Sequence, residues 1–540
     1  LAVRDARSRG HGLEALRDLR TGLVTLAHVT GRSIPRRVDT VVVGGGTSGA
    51  VVAGRLVEGS SRSVLVLEAG PDYGPLEGGR WPAPLLDARY LSIDDHDWRY
   101  VSAARHGQPR LRLERARVVG GCSSHNGCAA VWGHRSDYDG WATRGNHGWS
   151  ADDLRPHFER AGQRMRVRLP GSAEVGPFHE AVLAAGPAAG LPRTDDLDDL
   201  DGGVGMCLSP VNTVRRGAEV IRWNAAFAYL DPVRGSDRLT ILGNAMVDWI
   251  AIERGRAVAL EARVGGEPVR IECGEVVLAG GAYGSPSLLL RSGVGPPEQL
   301  GGLGIRVVRA LPGVGANLHD HPALTLVHAG TERLIGSLGA FGQPLREEGT
   351  IAKARSSLCQ DVFDLHLYPF GGPYWNRDGT WMFAIPAACM TPRSRGALRL
   401  ASADPAEAPI IDHAYLTDPE DRDLAVLLDG IDLARELARQ SPLADLLGPE
   451  TSPGLETIDR DQLRAWIRGR AVHYYHPVGT CKMGPADDPT AVVDARGRVH
   501  GLAGLRVADA SVMPVVPRAN TNVPCVVVGE KIASVMLEDG

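Results

Sequence analysis

No stretch of this 540-residue chain is apolar for long enough to cross a bilayer as a helix; the longest hydrophobic runs, such as "CVVVG" and "TVVVGGG", have the length of strands. Cysteine is sparse, eight residues mostly scattered, which argues against a secreted disulfide scaffold and leaves reduced thiols as the expectation. Positive charge is not in excess. A net charge of −5 and a pI near 6.4 offer no basic face to nucleic acid or to an anionic membrane. Lysine is nearly missing: Lys353, Lys482 and Lys531 are all there is, so 56 of the 59 basic residues are arginine, a bias from which no function is read. Residues 1–37 lack the apolar core and cleavage site of an export signal, and Arg36–Arg37 lead straight into a strand. They read as an N-terminal extension, and a cytoplasmic protein is expected. There is no internal repeat and no low-complexity tract.

What is present is ordinary globular composition, 43% hydrophobic and 23% charged, with length enough for two or more domains. "VDTVVVGGGTSGAVVAGRLVEG", Val38 to Gly59, reads as a β-branched strand, a glycine turn and a helix; "SVLVLEAG" at 63–70 reads as a second buried strand. Gly44, Gly46 and Gly49 fit G-x-G-x-x-G. The first permits a tight turn, the second lets backbone approach a pyrophosphate, and the third lets helix pack on strand. Thr47 and Ser48 open the helix, whose N-terminus presents N–H donors and a positive dipole end. Glu68 closes the second strand, where a carboxylate binds a ribose hydroxyl. The unit predicts dinucleotide binding without distinguishing FAD from NAD. From about residue 238 a meander of short strands is expected, its last strand running into a helix at "SPSLLLRSG". Residues 330–350 read as a mobile loop or lid. "SDYDGWA" reads as helix-capping chemistry.

Between two cysteines of "GGCSSHNGC" stands His125, in C-x2-H-x2-C spacing. The spacing resembles part of a zinc site, but a fourth ligand is not evident. Five further segments follow the glycine motif in order: "RARVVGGCSSHNGCAAVWGHRSDYDGWA" (115–142), "GGAYGSPSLLLRSGVG" (280–295), "GVGANLHDHP" (313–322), "YYHPVGTCKMG" (474–484) and "GLRVADASVMPVVPRANTNVPCVVVGEKIA" (504–533). Together they make the chain, from about residue 37 onward, resemble the glucose–methanol–choline (GMC) family of FAD-dependent oxidoreductases.

The resemblance implies an α/β fold, α+β overall. An FAD-binding, Rossmann-like domain of glutathione-reductase type (38–160, 215–325 and 472–540) would carry an inserted substrate domain (161–214 and 326–471) on an antiparallel sheet. It implies FAD as cofactor, with Gly120, Gly121, Asn126, Val247 and Asp509 joining the glycine motif and Glu68 around it. His125 matches a histidine that choline-oxidising members bond covalently to the flavin; an untethered histidine beside the flavin and a metal ligand are the other readings. His476 matches the catalytic base and Asn522 its partner, expected as an amide donor to a developing alkoxide. An imidazole titrating near neutrality suits removal of a hydroxyl proton, while flavin N5 takes the hydride. His366, Tyr474 and Tyr475 are substrate-pocket candidates; His319 and His321 are expected to pack beside the flavin, and no metal is expected.

The departures bear on substrate. Where choline-binding members carry a glutamate two residues after the "DH" histidine, this chain has Ala323, and Gly127 replaces a serine. A cationic substrate loses its counter-charge, although Tyr475 and Trp81 could supply part of an aromatic wall. The stretch 365–383 supplies aromatics for an apolar pocket. The expectation is an alcohol oxidase that does not use choline, with oxygen or another electron acceptor as partner, and with a homodimer as the assembly. A quinone-linked dehydrogenase and a lyase with redox-silent FAD are the alternatives.

Overall fold

Strand β1 (Arg37–Val43) alternates exposed and buried at its start and is then buried at every position, as befits a strand entering the middle of a parallel sheet. The computed structural model describes residues 34–89, 91–104, 110–217, 219–342, 349–372, 381–454, 456 and 459–540. The expectation for residues 1–37 therefore falls largely outside the described residues, and Arg37 already belongs to β1. Helix α1 (Thr47–Gly59) and the fully buried β2 (Val64–Leu67) complete the first βαβ unit, with β2 parallel to β1. β3 (Leu239–Leu242) extends the sheet beyond β2. β4 (Ala245–Glu253), β5 (Arg256–Val264) and β6 (Glu267–Leu278) form the expected meander. The sheet order is β4-β5-β6-β1-β2-β3. β6 is long enough for two partners on one edge. Its first half is antiparallel to β5, and its last three residues run parallel to Leu505–Val507.

The carboxyl ends of β1, β2, β6 and Leu505–Val507 thus meet at one edge, where Gly44–Gly46, Glu68, Ala279–Gly281 and Asp509 follow directly. Ligands of parallel α/β sheets bind at such an edge. Helix α2 (Gly281–Arg291) starts there, over the "SPSLLLRSG" segment.

A second, antiparallel sheet uses β7 (Pro322–Gly330), β8 (Thr350–Ala354), β9 (Leu365–Leu367), β10 (Met382–Cys389) and β11 (Leu447–Ser452). Its path runs β11-β7-β10-β9-β8 and ends on Gly205–Leu208. The two-residue period sorts its side chains onto two faces. Leu324, Leu326, Leu365, Leu367, Ile385 and Ala387 pack with the helices Pro177–Ala185 and Arg422–Ala438. Ala323, Ile351, Ala384 and Ala388 form a separate cluster with Tyr368, Tyr474, Ala129 and Ala519. That second face covers the site described below.

Two expectations are corrected. Within 330–350, Glu332–Gly339 is a helix capped by Thr331, whose hydroxyl accepts from Leu334 N–H; residues 343–348 lie outside the described residues. The glycines at 336 and 339 masked an amphipathic turn whose Leu334 and Leu338 are buried. Trp81 is core rather than pocket wall: it packs on Phe227 and Tyr73 and donates its indole N–H to the Gly74 carbonyl. "SDYDGWA" does lie in a helix, Arg135–Thr143, with Asp137 and His134 forming its capping box. None of the eight cysteines is joined in a disulfide. Among the described residues no helix is long and apolar enough to cross a membrane.

Candidate active site

A cavity of about 630 Å³ runs from the glycine loop, past the meander and the "GGCSSHNG" turn, to the "YYHP" segment. At its first end Gly49 packs α1 against the loop that precedes it. A Cβ on Gly49 would stand 1.9 Å from the Gly44 carbonyl oxygen, which is backbone and has nowhere to go. Gly49→Ala is therefore expected to destabilise the fold by about 3 kcal/mol or more and to yield colourless, poorly soluble protein. Recovery of yellow protein with an unchanged melting temperature would show that this contact relaxes cheaply.

Glu68 accepts from Gly45 N–H through one carboxylate oxygen and from Gly70 N–H through the other, at 2.9 and 2.8 Å. Burial pushes its pKa up to about 7 against these hydrogen bonds. Thr47, Ser48 and Val247 line the same region. The Ser48 hydroxyl donates to the Cys525 carbonyl and so ties α1 to the last helix, Asn522–Glu538. Asp509 also lines the cavity, with both oxygens engaged: one accepts from Gly281 N–H and the Ser285 hydroxyl, the other from Ser511 N–H and its hydroxyl. It anchors the start of α2 at the cavity wall.

The "GGCSSHNG" turn rests on the glycine loop. Gly120 N–H donates to the Gly45 carbonyl, and Gly121, at φ 54°, comes so near Gly46 that a Cβ would lie 2.6 Å from its Cα. Asn126 lines the cavity while its side-chain oxygen accepts from Cys128 N–H. His125 is buried on the cavity wall, and its Nδ1 has no hydrogen-bond partner. Burial, helped by the charges of Arg115 and Arg222, pushes its pKa down to about 3, which keeps the imidazole neutral and nucleophilic. Arg222 itself is spent on the carbonyls of Leu85, Ser124 and Asn126 and fixes the turn.

At the far end lie Tyr474, Tyr475, His476 and Asn522. Tyr475 sits at φ 66°, a costly conformation for a bulky residue. Its carbonyl accepts from Arg115 Nη1 at 3.0 Å, and the next residue, His476, is held by its N–H donating to Asp320 at 2.9 Å. Tyr474 stacks on Tyr368, with centroids 4.0 Å apart. Asn522 departs from the expected donor role. Its amide nitrogen donates to the Ala129 carbonyl and to Asn212 Oδ1, and its own Oδ1 is buried without a partner. The orientation follows from Asn212, whose nitrogen donates to the Trp223 carbonyl at 2.7 Å and so leaves its oxygen for Asn522. Asn522 presents an acceptor.

His366 is not on the cavity lining. It lies on β9 between Lys353 and Ala388 of the neighbouring strands, stacked on Phe363, with both ring nitrogens unpartnered. His319 spends Nδ1 on the Asn317 carbonyl and Nε2 on Val516 N–H. Arg115, Asn212, Arg222 and Asp320 were not singled out as site residues from the sequence. Arg115 and Asp320 lie within quoted motifs, but Asn212 and Arg222 have no local signal.

The cavity fits an extended dinucleotide. Glycines line it where the backbone packs too closely for a Cβ, a carboxylate follows β2 at the same end, and a neutral histidine and an unpartnered amide oxygen stand at the other end. Fold and site define a flavin-type oxidoreductase acting at the junction of a nucleotide sheet and an antiparallel sheet. Family models described as GMC oxidoreductase match residues 38–323 and 392–529. The chain is 36% identical to an oxygen-dependent choline dehydrogenase of Pseudomonas syringae pv. tomato, covering 92% of each chain. It is 33% identical to the choline oxidase of Arthrobacter globiformis, over 93% of this chain and 94% of that one. The crystal structure of pyridoxine 4-oxidase from Mesorbium loti superposes with a TM-score of 0.81 at 27% identity, covering 92% of this chain and 98% of that chain. The chain belongs to the GMC oxidoreductase family, as an FAD-dependent enzyme that oxidises alcohols.

Proposed function

We propose that this enzyme is an oxidase of an uncharged alcohol, with His476 as base, FAD tethered through His125, and oxygen as acceptor. The observation that carries the substrate reading is Ala323. It is fully buried among Ala129, Ala384, Ala388, Tyr368 and Tyr474, at the position where choline-binding relatives have a glutamate. A quaternary ammonium group in the cavity, beside Ala129 and Tyr474 that pack on Ala323, would lose water without gaining that carboxylate as counter-ion. Bound FAD would supply the hydride acceptor, held by the glycine loop, Glu68, the 120–126 turn and Val247. His476 takes the hydroxyl proton; Asn522 and Tyr474, both on the cavity lining, bound the space in which the alcohol is oriented.

The test is anaerobic bleaching of the visible flavin band by choline, aliphatic and aryl primary alcohols, and sugars, followed by air. Bleaching by neutral alcohols at least tenfold faster than by choline, with colour returning on aeration, is expected. Rapid bleaching by choline, the substrate named for the relatives above, would overturn the argument from Ala323. Colour that returned only with a quinone would make the enzyme a dehydrogenase. A flavin that no alcohol bleached would favour a redox-silent lyase.

A further inference from the structure

His321 is the residue of the "HDHP" segment that the reading above leaves without a task. It is fully buried, it is not on the cavity lining, and its Nδ1 lies 3.0 Å from Nδ1 of His476 with the two rings nearly perpendicular. The contact is built into the backbone. Pro322 and His473 are paired across β7 and the short strand Val472–His473, Tyr474 N–H donates to the His321 carbonyl, and Val478 and His319 exchange hydrogen bonds. Two residues 155 positions apart are thereby locked ring to ring.

Two neutral imidazoles sharing one Nδ1···Nδ1 contact hold one proton between them, and which ring owns it decides what the other can do. If His321 owned it, neutral His476 would carry its own proton on Nε2 and have no lone pair there for an alcohol. If His476 owns it, its Nε2 is a free base. The surroundings of His321 distinguish the two. Its ring contacts the Tyr474 ring, and apart from His476 the polar groups that interact with it are acceptors, the carbonyls of Met390 and Pro517. Its Nε2 is buried without a hydrogen bond of normal geometry. A lone pair on Nε2 would face those carbonyl oxygens repulsively, whereas an Nε2–H is attracted to them. Burial keeps both rings neutral, His321 down to about 3 and His476 well below the ordinary imidazole range.

We propose that His321 is the positioning residue that selects the Nδ1–H tautomer of His476 by accepting that proton on its own Nδ1, leaving His476 Nε2 as the base. The proposal rests on the assignment of His476 as base and adds to it the group that makes that assignment chemically possible. Asp320, His321 and His476 also form the one cluster of metal-capable groups among the described residues, with ligand atoms within 4.8 Å of one another. Asp320 is already engaged by His476 N–H and by the Tyr415 hydroxyl, and the hydrogen-bonded pair accounts for the other two.

The test is the ¹⁵N spectrum of histidine-labelled, FAD-loaded enzyme, with His476 assigned by loss of its signals in His476→Gln. The wild type is expected to show His476 protonated at Nδ1 and bare at Nε2. In His321→Asn, whose side-chain oxygen falls near the position of Nδ1, the tautomer should persist. In His321→Leu it should shift toward Nε2–H. Stopped-flow reduction by whichever panel alcohol reduces the wild type fastest should fall about 100-fold or more in His321→Leu and within about tenfold in His321→Asn, with substrate KM changed less than kcat. Wild-type His476 bearing its proton on Nε2, or one equivalent of zinc in the purified enzyme, would overturn the proposal. So would a His321→Leu enzyme that reduces at the wild-type rate. Because the tautomer is read without substrate, failure of this proposal is separable from failure of the alcohol-oxidase reading, which the bleaching panel decides.

Discussion

Replacing His476 with alanine is expected to slow anaerobic flavin reduction about 10²–10⁴-fold, the usual range for loss of a positioned general base. The alternative is that His476 is a packed histidine before a proline turn, for which deletion would cost stability rather than rate. The surroundings favour the first outcome. Its N–H is held by Asp320 and its neighbour Tyr475 by Arg115, so the backbone geometry is secured by groups other than the ring. The ring itself borders the cavity. A variant that binds FAD fully, melts within a few degrees of the wild type and still reduces within tenfold of it would remove His476 from the role of base.

His125→Ala has the largest qualitative effect expected. After acid precipitation the flavin of the wild type should remain in the pellet, whereas that of the variant should appear almost entirely in the supernatant. The imidazole is neutral because burial and two nearby guanidinium groups disfavour its charged form, and a neutral ring keeps a lone pair with which to form the tether. Loss of the tether should also make the flavin a weaker hydride acceptor. A roughly tenfold slower reduction, about 1.4 kcal/mol in activation free energy, is the expected scale. If acid releases the wild-type flavin as well, His125 is an untethered neighbour of the cofactor.

Whatever depended on near neighbours in the chain was legible from residues alone. The strand–glycine–helix unit at Val38–Gly59 reads directly because each glycine answers a local steric demand, as the contact between Gly49 and the Gly44 carbonyl illustrates. The meander after residue 238 reads from its run of short strands, and the helix-capping character of "SDYDGWA" from its polar residues, whereas His134 as the capping partner of Asp137 came from the structure. His125 and His476 stand in motifs whose neighbours form the turns that bring them to the cavity wall. Errors arose where a local pattern had two solutions. Gly336 and Gly339 suggested a loop where two buried leucines made a helix, and Trp81 suggested a pocket wall where Phe227 made a core.

Only the tertiary structure decided how the side chains around the cavity are engaged. Asn522 and Asn212 are 310 residues apart, and it is Asn212, itself set by the Trp223 carbonyl, that turns the Asn522 amide oxygen free. Arg115 reaches Tyr475 across 360 residues, and His321 meets His476 across 155. Sequence alone determined which residue types this protein brings to its cavity, because turns and periodicity are short-range. Tertiary packing determined which atom of each side chain is engaged and which is left unpartnered, because hydrogen bonds between distant segments depend on distances that no local pattern encodes.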